Sequence, residues 1–213
     1  MKITDACIFP YPDGDSTVSR MAIEAGELGF DSLVAIGDAG HRFSCAVEIL
    51  QGAIITARSV KEVLRDPAVR RADLVCVDAG DLSFNRALAS TKDVNVISKI
   101  HATRQNAFDH VAARTAAERG VAVEISIAPL IHFRGAKRQQ ALNRYADILA
   151  LHRRYGFMLT LSSAASSILD QRSVREIRGL CGLFGMTGAE VNEALSSVGR
   201  MIEHSSPPGG AVR

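Results

Sequence analysis

The sequence predicts an α/β barrel built as a single domain over residues 1–204. Seven apolar runs alternate with segments of helical period. The runs are nearly continuous in Val, Ile, Leu and Ala, and helix start and stop signals stand between them. Runs that are apolar throughout suit parallel strands covered on both faces. The strand-then-helix order implies right-handed crossovers in one sheet. Seven strands and an inconspicuous eighth would close a (β/α)₈-like barrel; an open doubly wound sheet is the alternative. The nucleotide-binding versions of that open sheet need GxGxxG after a strand or a Walker A loop, and the chain has neither.

The expected strands are Ile3–Phe9, Ser32–Ile36, Glu48–Ala57, Leu74–Ala79, Val94–Ile100, Val121–Ile127 and Phe157–Leu161. Ser59 to Glu62, Ser173 to Glu176 and Thr187 to Glu190 each read as a capping box, in which the hydroxyl accepts an orphan N–H and the glutamate reaches back to the cap N–H. Ser16 precedes a helical pattern through Met21, Ala22 and Ala25. Ser83 is expected to cap the helix carrying Arg86. Asn106 opens the one through Val111 and Ala112. Gly120 and Gly156 read as helix stops. The longest helix is expected from about Lys137 to Tyr155, and the Pro/Gly-rich segment 205–213 as a frayed tail.

Composition narrows the class. Hydrophobic residues make up 47% and charged residues 23%, an ordinary globular balance. No run approaches a membrane span, and the N-terminus has no secretory pattern, so a cytoplasmic protein without membrane partners is expected. The cysteines Cys7, Cys45, Cys76 and Cys181 form no CxxC pair and read as free thiols, mostly buried. Net charge is only +2, but 20 of the 25 basic residues are arginine, whose planar fork matches phosphate.

Function in a barrel collects on the loops that follow strands. Arg172, Arg175 and Arg178 recur at a spacing of three around a helix start, where the dipole disfavours cations unless an anion is bound. Arg86 is expected in the first turn of its helix. Arg104 lies in a polar loop, and His110, Arg114 and Arg119 follow on the next helix. Together these residues predict a cationic rim that would hold a nucleic-acid backbone. With no Trp and 5% aromatics, base stacking would contribute little, so shape and phosphates would dominate. An enzyme reading finds less. The histidines form neither HxH nor HExxH, and Ser162–Ser163 lacks a GxSxG elbow. A metal-dependent phosphoesterase with Asp5, Asp78 and His101 as ligands is the competing hypothesis; no catalytic residue and no metal site are expected.

Several segments then resemble one family. They are DACIFPYP (5–12), AGELGFDSL (25–33), DLSFNRALA (81–89), FDHVAARTAAERGVAVEISIAPLI (108–131), RYGFMLTLSSAAS (154–166), VREIRGL (174–180) and LFGM (183–186). In order and spacing the chain is similar to ribonuclease P protein component 3, the thirty-kilodalton-subunit family. The resemblance implies a TIM-barrel-like fold related to the polymerase-and-histidinol-phosphatase barrels. It also implies a role in removing the 5′ leader of precursor tRNA. The RNA component would then carry catalysis with bound Mg²⁺, this chain holding no cofactor. The implied partners are the ribonuclease P RNA, precursor tRNA, other ribonuclease P proteins, and a small ferredoxin-like subunit forming a heterotetramer. The positions matching the family's basic RNA-contacting residues are Arg86, Arg104, His110, Arg119, Arg172 and Arg175. Related phosphoesterases open with D-x-H-x-H, whereas this chain has Asp5-Ala6-Cys7-Ile8-Phe9, a departure that points to binding rather than autonomous hydrolysis.

Overall fold

The computed structural model describes residues 2–37, 45–104 and 106–205. Seven strands form one parallel sheet in sequence order: β1 (Thr4–Ile8), β2 (Ser32–Ile36), β3 (Glu48–Ile55), β4 (Leu74–Asp78), β5 (Val96–Ser98), β6 (Ala122–Ser126) and β7 (Leu159–Ser162). The helices are α1 (Val18–Glu27), α2 (Val60–Arg65), α3 (Leu82–Ala89), α4 (His110–Arg119), α5 (Ala128–His132), α6 (Gly135–Tyr155), α7 (Val174–Gly182), α8 (Gly188–Leu195) and α9 (Ser197–Ser205). Expectation and structure agree on the number of conspicuous strands, but no eighth strand exists among the described residues. Instead β7 returns directly to β1. Ala164 N–H donates to Cys7 O at 3.0 Å and Phe9 N–H to Ala165 O at 2.8 Å. These bonds fall just past the end of β7 and leave a seven-stranded, nearly closed barrel.

Asp5 supplies the rest of that seam. Its Oδ1 accepts the Ser163 N–H at 2.9 Å and the Cys7 N–H at 3.4 Å, beside a register shift in the β1–β2 ladder. A β-bulge leaves backbone donors off the ladder, and here a buried carboxylate takes them.

One apolar layer lies between the strands and the surrounding helices, with Leu33, Val77, Ile97, Ile125 and Leu161 fully buried against Met21, Leu88, Ala112 and Ile148. A second fills the barrel interior with Ala6, Val34, Leu74, Cys76, Val96 and Ala122, against Val198 and Met201 of α9. The interior is tight enough to dictate Gly52, where a Cβ would stand 2.5 Å from Val34 Cγ1 and 2.7 Å from Ile36 Cδ1. The missing side chain on β3 makes room for Val34 and Ile36 of the neighbouring β2.

Capping follows sequence chemistry with local corrections. The boxes at Ser173/Glu176 and Thr187/Glu190 form fully. At Ser59 the hydroxyl accepts from Glu62 N–H, but Glu62 reaches one residue further back, to Arg58 N–H. Thr17 rather than Ser16 caps α1, Asp81 rather than Ser83 caps α3, and Asp109 rather than Asn106 caps α4. Carboxylates win the last two places because they accept more strongly at the positive helix end. Asn106 instead adopts a left-handed conformation, φ 68°. Gly120 (φ 73°) and Gly156 (φ 74°) end α4 and α6 in the left-handed form that favours glycine. Cys7, Cys76 and Cys181 are buried free thiols, and Cys45 is partly exposed. No described helix is long and apolar enough to cross a membrane. His41 and residues 206–213 of the expected tail lie outside the described residues.

Candidate nucleic-acid interface

The upper interior of the barrel, at the strand C-termini, is polar. Glu124 on β6 is 5% exposed and takes a hydrogen bond from Ser162 Oγ at 2.6 Å and one from Lys99 N–H at 3.3 Å. Burial raises its pKa; burial also lifts that of Asp5, to about 6. Lys99 follows β5 in a left-handed conformation, φ 52°, uncommon for a side chain with a Cβ. That turn brings Lys99 Nζ to Asp78 Oδ2 at 2.9 Å, where Thr56 Oγ1 also donates at 2.6 Å.

His101 sits beside this cluster. Tyr145 hydroxyl donates its one proton to Ser126 O at 2.8 Å, so the 3.2 Å contact with His101 Nδ1 requires Nδ1–H to be the donor. Burial, reinforced by the Lys99 charge, pushes the His101 pKa down to about 4. The ring is therefore neutral at pH 7, with Nε2 as its acceptor. Among the described residues no group of three His, Cys, Asp or Glu side chains is placed to hold a metal ion. In particular Asp5, Asp78 and His101 make no such group; Asp5 is spent on the barrel seam.

Two adjoining cavities open at this end and share Lys99. One, about 640 Å³, lies between the loops after β4 and β5, with Asp78, Gly80, Thr103, Arg104 and Asn106 on its walls. The smaller, about 200 Å³, sits over the lumen between His101, Glu124, His132 and Phe133.

The six sequence-predicted contact residues do not share one rim. Arg104 and His110 are at the barrel mouth and exposed; Arg104 makes no ion pair or side-chain hydrogen bond with another described residue. Arg86 is not in the first turn of α3, because Asp81 starts that helix earlier. It reaches the α4 cap, with Nη2 2.5 Å and Nε 3.3 Å from the Asp109 carboxylate. That guanidinium, chiefly by its hydrogen bond, holds Asp109 down to about 2.

Arg119 lies in the last turn of α4, just before β6 begins, and so at the opposite end of the barrel. Arg172 and Arg175 are displaced the same way. After β7 the chain runs down the length of α1. Ile168 N–H bonds Ser16 Oγ at the head of α1, and Gln171 Nε2 bonds Met21 O. Val174 N–H bonds Leu28 O at its foot. The helix start that carries Arg175 is therefore at the strand N-termini. Arg172 spends Nη1 on the Leu169 and Gln171 carbonyls at 2.8 and 2.7 Å; Arg175 is exposed. No local signal in 163–174 announces this descent.

The structure adds cations that sequence reading passed over. Arg134 and Arg138 converge on the Ile131 and Phe133 carbonyls that end α5, and exposed Lys137 lies between them. The Arg-x-x-x-Arg spacing after β6 was the available signal. The mouth thus carries Lys99 and Arg104 after β5 with His110 at the start of α4, and Arg134, Lys137 and Arg138 around the start of α6.

The family model described as RNase P subunit p30 matches residues 2–206. The chain belongs to this family. Ribonuclease P protein component 3 of Methanothermobacter thermautotrophicus is 36% identical over 162 residues, covering 75% of this chain and 66% of that relative. Its counterpart in Methanococcoides burtonii is 31% identical over 201 residues, 90% of this chain and 83% of the relative. In the solved structure of archaeal ribonuclease P with mature tRNA, a chain matches this one at TM-score 0.75 and 16% identity, covering 93% of this chain and 90% of its own. A histidinol phosphate phosphatase from Lactococcus lactis matches at TM-score 0.57 and 14% identity, covering 87% and 94%. The last two likenesses establish the fold, a TIM-like barrel.

Proposed function

We propose that this p30-family chain, a protein subunit of ribonuclease P, serves in tRNA 5′ processing as an RNA-binding barrel and not as a nuclease in its own right. The observation that carries the reading is the cationic mouth: Arg104, exposed and unpaired among the described residues, lines one cavity with Lys99, and exposed Arg134 and Lys137 follow β6 at the same end. Lys99 is held by Asp78, but Arg104 is claimed by no described carboxylate and is free to neutralise a phosphate. In this reading the RNA component cleaves the 5′ leader of precursor tRNA with its own Mg²⁺, this chain holds no cofactor, and its work is to support the RNA. A small ferredoxin-like subunit is the proposed protein partner, in a heterotetramer within a cytoplasmic complex with the other ribonuclease P proteins. Because Arg175 and Arg119 lie at the opposite end from Arg104, the reading gives the barrel two contact ends, one serving RNA and the other RNA or protein.

Reconstitution with the cognate RNA and partner proteins tests this. Omitting the chain is expected to lower precursor-tRNA cleavage and raise the Mg²⁺ needed; unchanged cleavage and Mg²⁺ dependence would refute it. The phosphoesterase alternative is decided by elemental analysis of the purified protein, where stoichiometric Zn or Mn would favour hydrolysis by the chain itself.

A further inference from the structure

Arg144, in the middle of α6, is 6% exposed, yet its guanidinium is poorly used. Nη2 donates to Thr103 Oγ1 at 3.3 Å, and Nη1 stands 3.9 Å from Asp147, an ion pair too long for a hydrogen bond. A guanidinium has five N–H donors. Burial lowers the pKa of this one, the mark of a charge held out of water without a full partner. Retaining such a group is costly unless something pairs with it.

What Arg144 faces is a cavity of about 410 Å³ walled by Thr103, Ala136, Gln139, Gln140, Asn143 and Asp147. The hydrogen-bond directions there are set. Gln139 Nε2 donates to Asn143 Oδ1 at 2.9 Å, which leaves the Asn143 amide N–H₂ as a donor. Thr103 Oγ1 spends its own proton on Ile100 O at 2.8 Å, so it accepts from Arg144 and fixes the guanidinium plane. Thr103 also walls the larger mouth cavity that holds Arg104 and Lys99. Among the described residues on the cavity wall one acidic group opposes this array: Asp147, whose side chain is 55% exposed and screened by water.

We infer that this cavity is a phosphate-binding subsite, with Arg144 as its anchor and the Asn143 amide as its second donor. A tetrahedral anion with several acceptor oxygens suits a planar fork and an amide better than a single carboxylate does. Resting on the RNA-binding reading above, the phosphate is a backbone phosphodiester of an RNA strand that crosses the Thr103–Arg104 ridge from the mouth.

The test uses the full-length chain and three probes: inorganic phosphate, acetate and the cognate RNA. With ¹⁵N-labelled protein, phosphate is expected to shift the Arg144 Nε–H resonance saturably and acetate to shift it less. Arg144→Met is expected to abolish the phosphate response, weaken RNA binding ~10-fold or more, and flatten the salt dependence of log K by about 0.7–0.9. Should Arg144→Met fold poorly, two surface variants carry the same question. Asn143→Asp should weaken phosphate binding, and Asp147→Asn should strengthen it severalfold, an increase that a purely structural arginine would not produce. Equal response to acetate, or no effect of Asn143→Asp and Asp147→Asn, overturns the subsite. If RNA binds but Arg144→Met leaves affinity and slope intact, the subsite fails while the RNA reading stands. If phosphate binds here and RNA does not bind the chain, the subsite stands for free phosphate and the RNA reading fails.

Discussion

Asp5→Asn probes how a seven-stranded barrel closes. The wild-type carboxylate is 1% exposed and accepts the Ser163 N–H at 2.9 Å, and burial holds its pKa at about 6. An unfolded aspartate titrates near 3.9, so the raised value corresponds to roughly 3 kcal/mol. Between about pH 4 and pH 6 the folded state binds the extra proton. Stability therefore falls as pH climbs through that window and stays lowered above it. Asparagine keeps the acceptor oxygen and removes the charge. At pH 8 the variant is expected to be more stable than wild type, by up to about 3 kcal/mol less whatever the amide loses in hydrogen bonding. At pH 4 the advantage should vanish. Asp5→Ala gives the contrast: it also removes the charge but leaves a buried Ser163 N–H unpaired, a cost of about 1–3 kcal/mol. Urea unfolding at pH 4, 6 and 8 reads all three proteins. If Asp5→Asn is less stable than wild type at pH 8 by the same amount at every pH, the seam does not carry a strained charge and the reasoning is wrong.

His101 has the opposite sign. Its folded pKa of about 4 lies below the ordinary histidine value. The stability from keeping it neutral is present above about pH 6.5 and is lost as pH falls toward 4. In wild type this loss overlaps the Asp5 gain, so the Asp5→Asn protein should fall in stability more steeply over that range by urea unfolding. Arg153→Ala removes a forked pair to Glu190 at 2.7 and 3.0 Å, beside the α8 capping box. The pair is half exposed and should contribute less than about 1 kcal/mol. The hydrogen bond from Arg153 holds the Glu190 pKa down to about 2, so the wild-type advantage should persist above the ordinary glutamate range and disappear as pH falls toward 2. Arg104→Ala should weaken RNA binding and lower the salt slope by about 0.7–0.9 for a lost phosphate contact. Arg86→Ala should instead lower thermal stability slightly and leave the salt slope unchanged, because Arg86 is already paired with Asp109. A photo-crosslinker at residue 104 and another at 175 should map to different RNA segments or partners; identical footprints would refute the two-ended arrangement.

Apolar runs from Ile3 to Leu161, with Ser59, Gly120 and Gly156 between them and Ser173 and Thr187 after them, suffice to specify parallel strands, their order and several helix limits. These are local signals, set by side-chain burial and by caps within three or four residues of each other. Family membership was legible too, in segments such as 108–131. The missing eighth strand was not, since closure depends on Ala164 and Ala165 meeting Cys7 and Phe9 and on one carboxylate 158 residues from the amide it accepts. Nor was the division of the arginines. Arg104 and Arg175 both follow strands in sequence, but three bonds from 168–174 to α1 carry Arg175 to the other end of the barrel. Arg144 in α6 carries no sequence mark that separates it from Arg138 or Arg153. What distinguishes it is burial against a loop 41 residues away, with too few partners for its charge. Sequence sets which residues can bind phosphate; only packing decides which of them remain unpaired.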